Sequence, residues 1–247
     1  MKLNRILLII SISTILLQSQ TYDLVIKNGR VMDPETGFSG VRNVGIRGDR
    51  IVEISSETLN GAIVVNAKGL VVSPGFIDLH AHGQTNDAHK YQARDGVTTA
   101  LDMEAGAAFL REWIETKEGN SILNYGGTAP HGFLRALAMD VNQKIAKKMA
   151  NQIKKEGINL EGLASRMFDV ELASARYKSL NQKEIDKSHE MLNVYLEAGA
   201  LGIGVPVGYY PGATAAEIFQ VYEFAKSKDV PVYTHTRGFG LLGLQEA

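Results

Sequence analysis

Residues 73–83 read SPGFIDLHAHG, and the reading of this stretch decides the fold of what surrounds it. An apolar run from Val71 to Leu79 leads into two of the chain's six histidines, His80 and His82, with Gly83 directly after. On an extended strand, side chains two apart share a face, with Cβ atoms roughly 6.5–7 Å apart at a rise of about 3.3 Å per residue. Two imidazoles so placed can lean together and each bring one nitrogen to about 2.0–2.1 Å from a shared Zn²⁺. The alternative is a pair of core histidines, which would need hydrogen-bond partners of their own. If the run is a buried parallel strand ended by Gly83, the pair sits at its C-terminal end, where barrel enzymes carry their sites.

Both flanks fit that placement. From Tyr22 to Val72, apolar residues recur with period two in YDLVIKNGRV, VRNVGIRGDRIVEI and AIVVNAKGLVV, with NG, RGD and KG as turn punctuation. This predicts a small antiparallel sheet of five or six short strands. After Pro74 the pattern becomes strand then helix, repeated. GFIDLH, DGVTTALDM (Asp95 to Met103), LNYGGTA (Leu123 to Ala129), ALGIGVP and VPVYTHT are the predicted strands. One predicted helix carries Val141, Ile145, Met149 and Ile153 on one face, with Lys144, Lys147, Lys148 and Lys155 on its solvated side. A second is capped by Asn181 with Glu184 three residues on, and ends at Gly199. A third opens on the capping-box pair Thr214 and Glu217.

Alternating strands and helices imply a parallel sheet with right-handed crossovers, and this many suggest a (β/α)8 barrel. The residues after Val72 number 175, against about 200 or more for a complete barrel. The expected fold is therefore α/β: about five of the eight strands of a TIM barrel, preceded by a small antiparallel β-sheet domain. Residues 20–72 form the small β-sandwich part and 73–247 the N-terminal part of the barrel, whose remainder is expected beyond Ala247. A five-stranded α/β fold complete in itself is the alternative.

Composition narrows the function. The 247 residues are 45% hydrophobic and 21% charged, with a net charge of -1, so nothing draws the chain to nucleic acid or an anionic membrane surface. With no cysteine, disulfides and thiolate metal ligands are both excluded. MKLNRILLIISISTILLQSQ has a basic start and an apolar run of 12 residues, Ile6 to Leu17, well short of the roughly 20 needed to span a bilayer. Residues 1–19 read as a signal peptide, which places the mature protein in the periplasm or outside the cell with no stable membrane association. A buried N-terminal helix is the competing reading.

VSPGFIDLHAHG, preceded by YDLVIKNGRVMDPETG, resembles the amidohydrolase superfamily. GVTTALDMEAG, GALGIGVPVGYYPG and VYTHTRG make the likeness closer to its D-aminoacylase branch, the N-acyl-D-amino-acid and D-glutamate deacylases. The resemblance implies a metal-dependent hydrolase of linear amides that removes the acyl group from N-acyl-D-amino acids, N-acyl-D-glutamate among them, with one or two Zn²⁺ ions. It implies that His80, His82 and His235 are metal ligands and that Glu104 is a bridging carboxylate where better-studied members carry a cysteine, a surface loop acid being the other reading of Glu104. Asp102 stays open as the rival ligand. Tyr210, with Tyr209 beside it, matches a substrate-side tyrosine, a packing role for either being the alternative, and His131 with Arg135 matches a substrate-side segment although Pro130 precedes the histidine. The catalytic aspartate of the family follows the eighth strand, so no residue of this chain is assigned to it, and the chain alone is expected to be inactive. ALGIGVP lacks the lysine that many superfamily members carbamylate, which argues against a hydantoinase- or dihydroorotase-like site. Another amidohydrolase, such as an isoaspartyl dipeptidase or dihydroorotase-like cyclic amidase, and a non-catalytic barrel homologue are the alternatives. His89 and His189 read as structural, the latter on the wet face of its helix.

Overall fold

The computed structural model describes residues 21–83, 85–156 and 175–238. The stretch read as a signal peptide, at 1–19, lies outside the described residues. The chain divides into two compact units between Pro74 and Gly75.

The first unit is a five-stranded sheet of β1 (Thr21–Asp33), β2 (Phe38–Arg47), β3 (Arg50–Ser55), β4 (Asn60–Asn66) and β5 (Val71–Val72), in the order β3-β2-β1-β4, with β5 also on β1. Two short turns build the β1–β2–β3 meander, and each has a glycine where the backbone turns left-handed, Gly37 at φ 72° and Gly48 at φ 58°. A left-handed Asn28 (φ 63°) interrupts the β1–β2 register between Ile26 and Gly29. The sheet corrects one expectation. It is mixed rather than antiparallel, because β4 and β5 lie on the far side of β1 from β2 and run parallel to it. Period-two alternation reports which face is buried, and it is blind to the direction of the neighbouring strand.

The second unit alternates strand and helix: β6 (Phe76–Asp78), α1 (Asn86–Arg94), β7 (Val97–Asp102), α2 (Leu110–Lys117), β8 (Asn124–Gly127), β9 (Ala129–Pro130), α3 (His131–Ala138), α4 (Gln143–Glu156), α5 (Gln182–Glu197), β10 (Ile203–Val205), α6 (Ala215–Ser227) and β11 (Val232–Thr234). All strand pairs are parallel and sequential, β6-β7-β8 and β9-β10-β11. Only Thr128 separates β8 from β9, so a single stretch of chain serves both three-stranded sheets. Its backbone N–H donates to Asp102 O (3.1 Å) and its hydroxyl to Met103 O (2.8 Å). The result is the mixed α/β architecture of a partial TIM barrel.

The main core lies where α3, α5 and α6 cover β9 and β10, with Leu134, Leu192, Ile203, Val205 and Val221 fully buried. Truncating such a leucine to alanine costs about 2–5 kcal/mol. Helix ends follow the sequence signals closely. Asn181 and Glu184 form a reciprocal capping box on α5, both bonds 3.0 Å, and Gly199 turns left-handed (φ 100°) past its end.

Four local readings are corrected. Val141 falls in the 3-10 turn Asp140–Asn142 before α4 and points outward, so the apolar stripe starts at Ile145. His189 is half-buried, its ring stacked on Phe224 at 4.9 Å, because α6 packs over the α5 face that composition alone marks as wet. The run read as buried, Val71 to Leu79, is not: among the described residues β6 pairs only with β7, and Phe76, Ile77 and Leu79 are exposed. Thr214 accepts from Glu217 N (3.1 Å), but the Glu217 carboxylate leaves the cap for Arg135, completing half of the box.

Candidate metal centre

The two histidines of HAH do not lie on a regular strand. β6 ends at Asp78, whose carboxylate accepts from His80 N (2.9 Å), and His80 then makes an isolated bridge with Asp102. Ala81 N–H donates to Leu101 O (3.0 Å) and Met103 N–H to Leu79 O (3.3 Å). The chain beyond β6 is thereby laced to the chain at the end of β7. This lacing turns both imidazoles the same way: their rings lie edge-to-face with centroids 4.6 Å apart, and the two Nε2 atoms are 2.8 Å apart.

Glu104 reaches the same point from the turn after β7. Its Oε2 lies 2.5 Å from His80 Nε2 and 3.6 Å from His82 Nε2, while Oε1 lies 2.6 Å from His235 Nδ1. His235 follows β11, so one carboxylate spans imidazoles from the first and the fifth barrel strands. The close approach depends on small residues. A Cβ on Gly204 of β10 would lie 2.3 Å from Glu104 O, and one on Gly106 would lie 2.5 Å from Thr128 O. The left-handed φ of 75° at Gly106 also suits glycine.

Asp102 settles into a different role from the one left open. Its Oδ2 takes His82 Nδ1 at 3.2 Å, and its Oδ1 accepts the amides of Ala105 and Gly106, both at 3.1 Å. Burial pushes this carboxyl above its ordinary value, and the His82 contact and the two amides offset only part of that rise. A carboxylate on Nδ1 fixes the tautomer that presents a bare Nε2 to the centre.

The donor set fits a divalent cation. His80, His82 and Glu104 each offer an atom, all within 4.8 Å of one another. Hydrogen bonding alone satisfies two facing Nε2 atoms only if one ring carries the proton, whereas a cation satisfies both lone pairs and the carboxylate together. Nitrogen and carboxylate oxygen are ordinary zinc donors, and the arrangement needs no thiolate. The carboxylate is largely buried while His80 and His82 are 63% and 51% exposed at the side chain, so one side of the cluster stays open.

The substrate-side candidates part company. Tyr209 tilts over the His235 ring at 4.6 Å. Tyr210 packs on Gly132, where a Cβ would lie 2.2 Å from its phenol, and burial pushes the hydroxyl up. His131 and Arg135 are buried away from solvent. Arg135 Nε donates to Glu217 Oε1 (2.5 Å), and its remaining nitrogens donate to Glu217 Oε2 and to the carbonyls of Ala175 and Lys178. This guanidinium cross-links α3, α6 and the segment before α5, with its fork fully engaged. His131 stands 3.8 Å from Glu217 Oε1, and among the described residues neither of its ring nitrogens has a hydrogen-bond partner. Sequence reading missed the Asp102 hold on His82 and the Arg135–Glu217 pair. Only the LDMEAG spacing and the misfit of a capping glutamate hint at them.

Known proteins share this architecture. No family model matches the chain. It is similar to the dihydroorotase of Streptococcus pneumoniae, 45% identical over 82 residues, covering 31% of this chain and 19% of that enzyme. The dihydroorotase of Lactococcus lactis is 42% identical over 82 residues, with the same coverage. Among solved structures, a D-aminoacylase described as defining a novel subset of amidohydrolases superposes with a TM-score of 0.64 at 21% identity, over 91% of this chain and 48% of that one. The N-acyl-D-glutamate deacylase of Bordetella bronchiseptica, solved with zinc and a phosphonate inhibitor, gives 0.65 at 20% identity over 89% and 46%. The chain thus spans about half the length of these structures and about a fifth of the dihydroorotases. The chain shares its fold with D-aminoacylases and an N-acyl-D-glutamate deacylase, and over about a third of its length its sequence is similar to dihydroorotases.

Proposed function

We propose that the protein is a metal-dependent amide hydrolase that removes the acyl group from N-acyl-D-amino acids, with N-acyl-D-glutamate as the first substrate to try. The observation that carries this is the Glu104 carboxylate between His80, His82 and His235. The residues of this chain would hold one or two Zn²⁺ ions: His80 and His82 through Nε2, His235 through Nδ1, and Glu104 through both oxygens. A divalent cation held there brings the pKa of bound water towards about 7 and polarises an amide carbonyl. Asp102 keeps His82 in the right tautomer, and Tyr210, on the segment after β10, is the candidate for contact with substrate. The preference for linear D-acyl substrates is supported by structural neighbours that match about nine-tenths of this chain.

Amide hydrolysis also needs a group that takes the proton of the attacking water and passes it to the leaving amine. Asp102 and Glu104 are committed, the first to His82 and two amides and the second to the imidazoles. With both carboxylates so engaged, the 247-residue chain alone is expected to show no turnover. The protein would act in the periplasm or outside the cell, after loss of its leader.

A second reading, a dihydroorotase-like cyclic amidase, draws on the 45% identity over 82 residues. Against it, β10 (Ile203–Val205) and its neighbours in ALGIGVP carry no lysine. The test is metal analysis of the full-length protein, followed by hydrolysis of N-acyl-D-glutamate, N-acyl-L-glutamate and dihydroorotate. D-selective release of free amino acid supports the proposal. Turnover of the cyclic amide alone replaces it with the second reading, and a full-length protein that takes up no metal sinks both.

A further inference from the structure

The loop Val207–Tyr209 after β10 touches His235 more closely than any side chain would allow. Gly208 N–H donates to His235 O at 3.0 Å. A Cβ on Gly208 would lie 2.7 Å from His235 Cδ2, 3.4 Å from Nε2 and 2.7 Å from Thr236 O. Carbon atoms in favourable contact sit about 3.5–4.0 Å apart, so even a methyl group there must displace the imidazole or the backbone that carries it. Next in sequence, the Tyr209 ring lies on the imidazole with centroids 4.6 Å apart, tilted by 41°. His235 is also anchored through its own N–H to Val205 O (3.2 Å), and its Nδ1 then reaches Glu104 Oε1 at 2.6 Å.

We propose that Gly208 and Tyr209 together form a seat that positions the His235 imidazole against Glu104, with Gly208 selected for the side chain it lacks. Both are positioning residues and act on the centre only through His235. Glycine is not needed here for backbone reasons, since Gly208 has an ordinary negative-φ conformation and is absent from the left-handed positions. The requirement is steric and is directed at the His235 ring and the backbone just after it. Its bearing on catalysis rests on the metal-centre reading above, but the seat itself does not.

The test uses the full-length protein and has a metal-free arm. The ring resonances of His235, identified by their loss in His235→Ala, should move in Gly208→Ala and in Tyr209→Ala in the absence of any ion. With Co²⁺ as probe, Gly208→Ala should bind roughly 10- to 100-fold more weakly, as loss of a ligand's support typically does, and should change the visible spectrum. A double variant, Gly208→Ala with His235→Ala, should bind no worse than His235→Ala alone, since the two act in series. Unmoved His235 resonances in both Gly208→Ala and Tyr209→Ala overturn the seat, as does a loss in the double variant that adds to that of His235→Ala. If Gly208→Ala fails to fold, Tyr209→Ala decides by the same readouts. A wild-type protein that binds no Co²⁺ refutes the metal reading and leaves the metal-free arm to judge the seat.

Discussion

Two clusters of histidine and carboxylate stand in the same α/β unit and behave in opposite ways. At the strand ends, His80, His82 and His235 converge on Glu104 with nitrogen–oxygen distances of 2.5–3.6 Å and one side open to solvent. Under the helices, His131, Arg135 and Glu217 are all but fully buried. There the carboxylate is neutralised by a guanidinium, and His131 stays 3.8 Å away. The first cluster gathers lone pairs that a single cation can satisfy together. The second has its charges already matched, and its histidine is held neutral, pushed down to about 3 by burial and by the nearby Arg135 and His189. The comparison teaches that residue type says little by itself. Convergence of acceptors on an accessible point marks a binding site, and a buried guanidinium matched to a carboxylate marks a cross-link.

The contrast breaks if the clusters fail to separate when mutated. Arg135→Ala leaves Glu217 buried without its partner and should cost about 3–5 kcal/mol, read as a lower denaturant midpoint, with metal affinity of the folded protein unchanged. Replacing the pair together, Arg135→Met with Glu217→Leu, should recover much of that loss. Recovery that fails would assign the cost to the Ala175 and Lys178 carbonyls instead. Glu104→Ala should do the converse. Metal affinity should fall by more than the roughly 10- to 100-fold expected for an outer partner, while the metal-free protein melts at its usual temperature. Full metal stoichiometry in Glu104→Ala would remove the bridging role.

Asp102→Asn sharpens the comparison within the open cluster. It keeps the shape but loses the charge on His82 Nδ1, and calorimetry should show metal affinity weakened roughly 10- to 100-fold. The smallest effect belongs to the buried histidines. His131 and His89 are pushed down to about 3 and about 4 from an ordinary 6.5, chiefly by burial. Above pH 6.5 they are neutral whether the chain is folded or not, so they cost nothing. As pH falls below 6.5 only the unfolded chain takes up protons, and stability declines until the folded values are reached. The His131 share should amount to about 1.4 kcal/mol at pH 5.5. Urea midpoints at pH 7.5 and 5.5 check this, since His131→Gln should flatten the difference.

How much of this could be read in advance depended on whether the signal was local. The strand–helix alternation, the Asn181–Glu184 cap and the terminus marked by Gly199 are short-range patterns, and the structure follows them. The HxH pair was visible, yet its geometry was not. The imidazoles meet because Leu79 and Ala81 are laced to Leu101 and Met103, and no periodicity encodes that. LDMEAG placed Asp102 and Glu104 near the centre but could not rank them, since the choice depends on which carboxylate receives the amides of Ala105 and Gly106. Glu217 read as a helix cap because its true partner lies 82 positions earlier. The mixed sheet and the covered face of His189 were hidden for the same reason. Both depend on which distant segment lies alongside.

Thr128 carries a consequence of its own. At this residue the third stave changes neighbours, and its backbone and hydroxyl are tied to Asp102 and Met103, just before Glu104. The splice between the two halves of the arc and the mooring of the ion-binding turn are therefore one joint. Loading the centre should stiffen that seam, so the Thr128 and Ala129 amides should exchange with deuterium more slowly once an ion is bound, well before any substrate arrives.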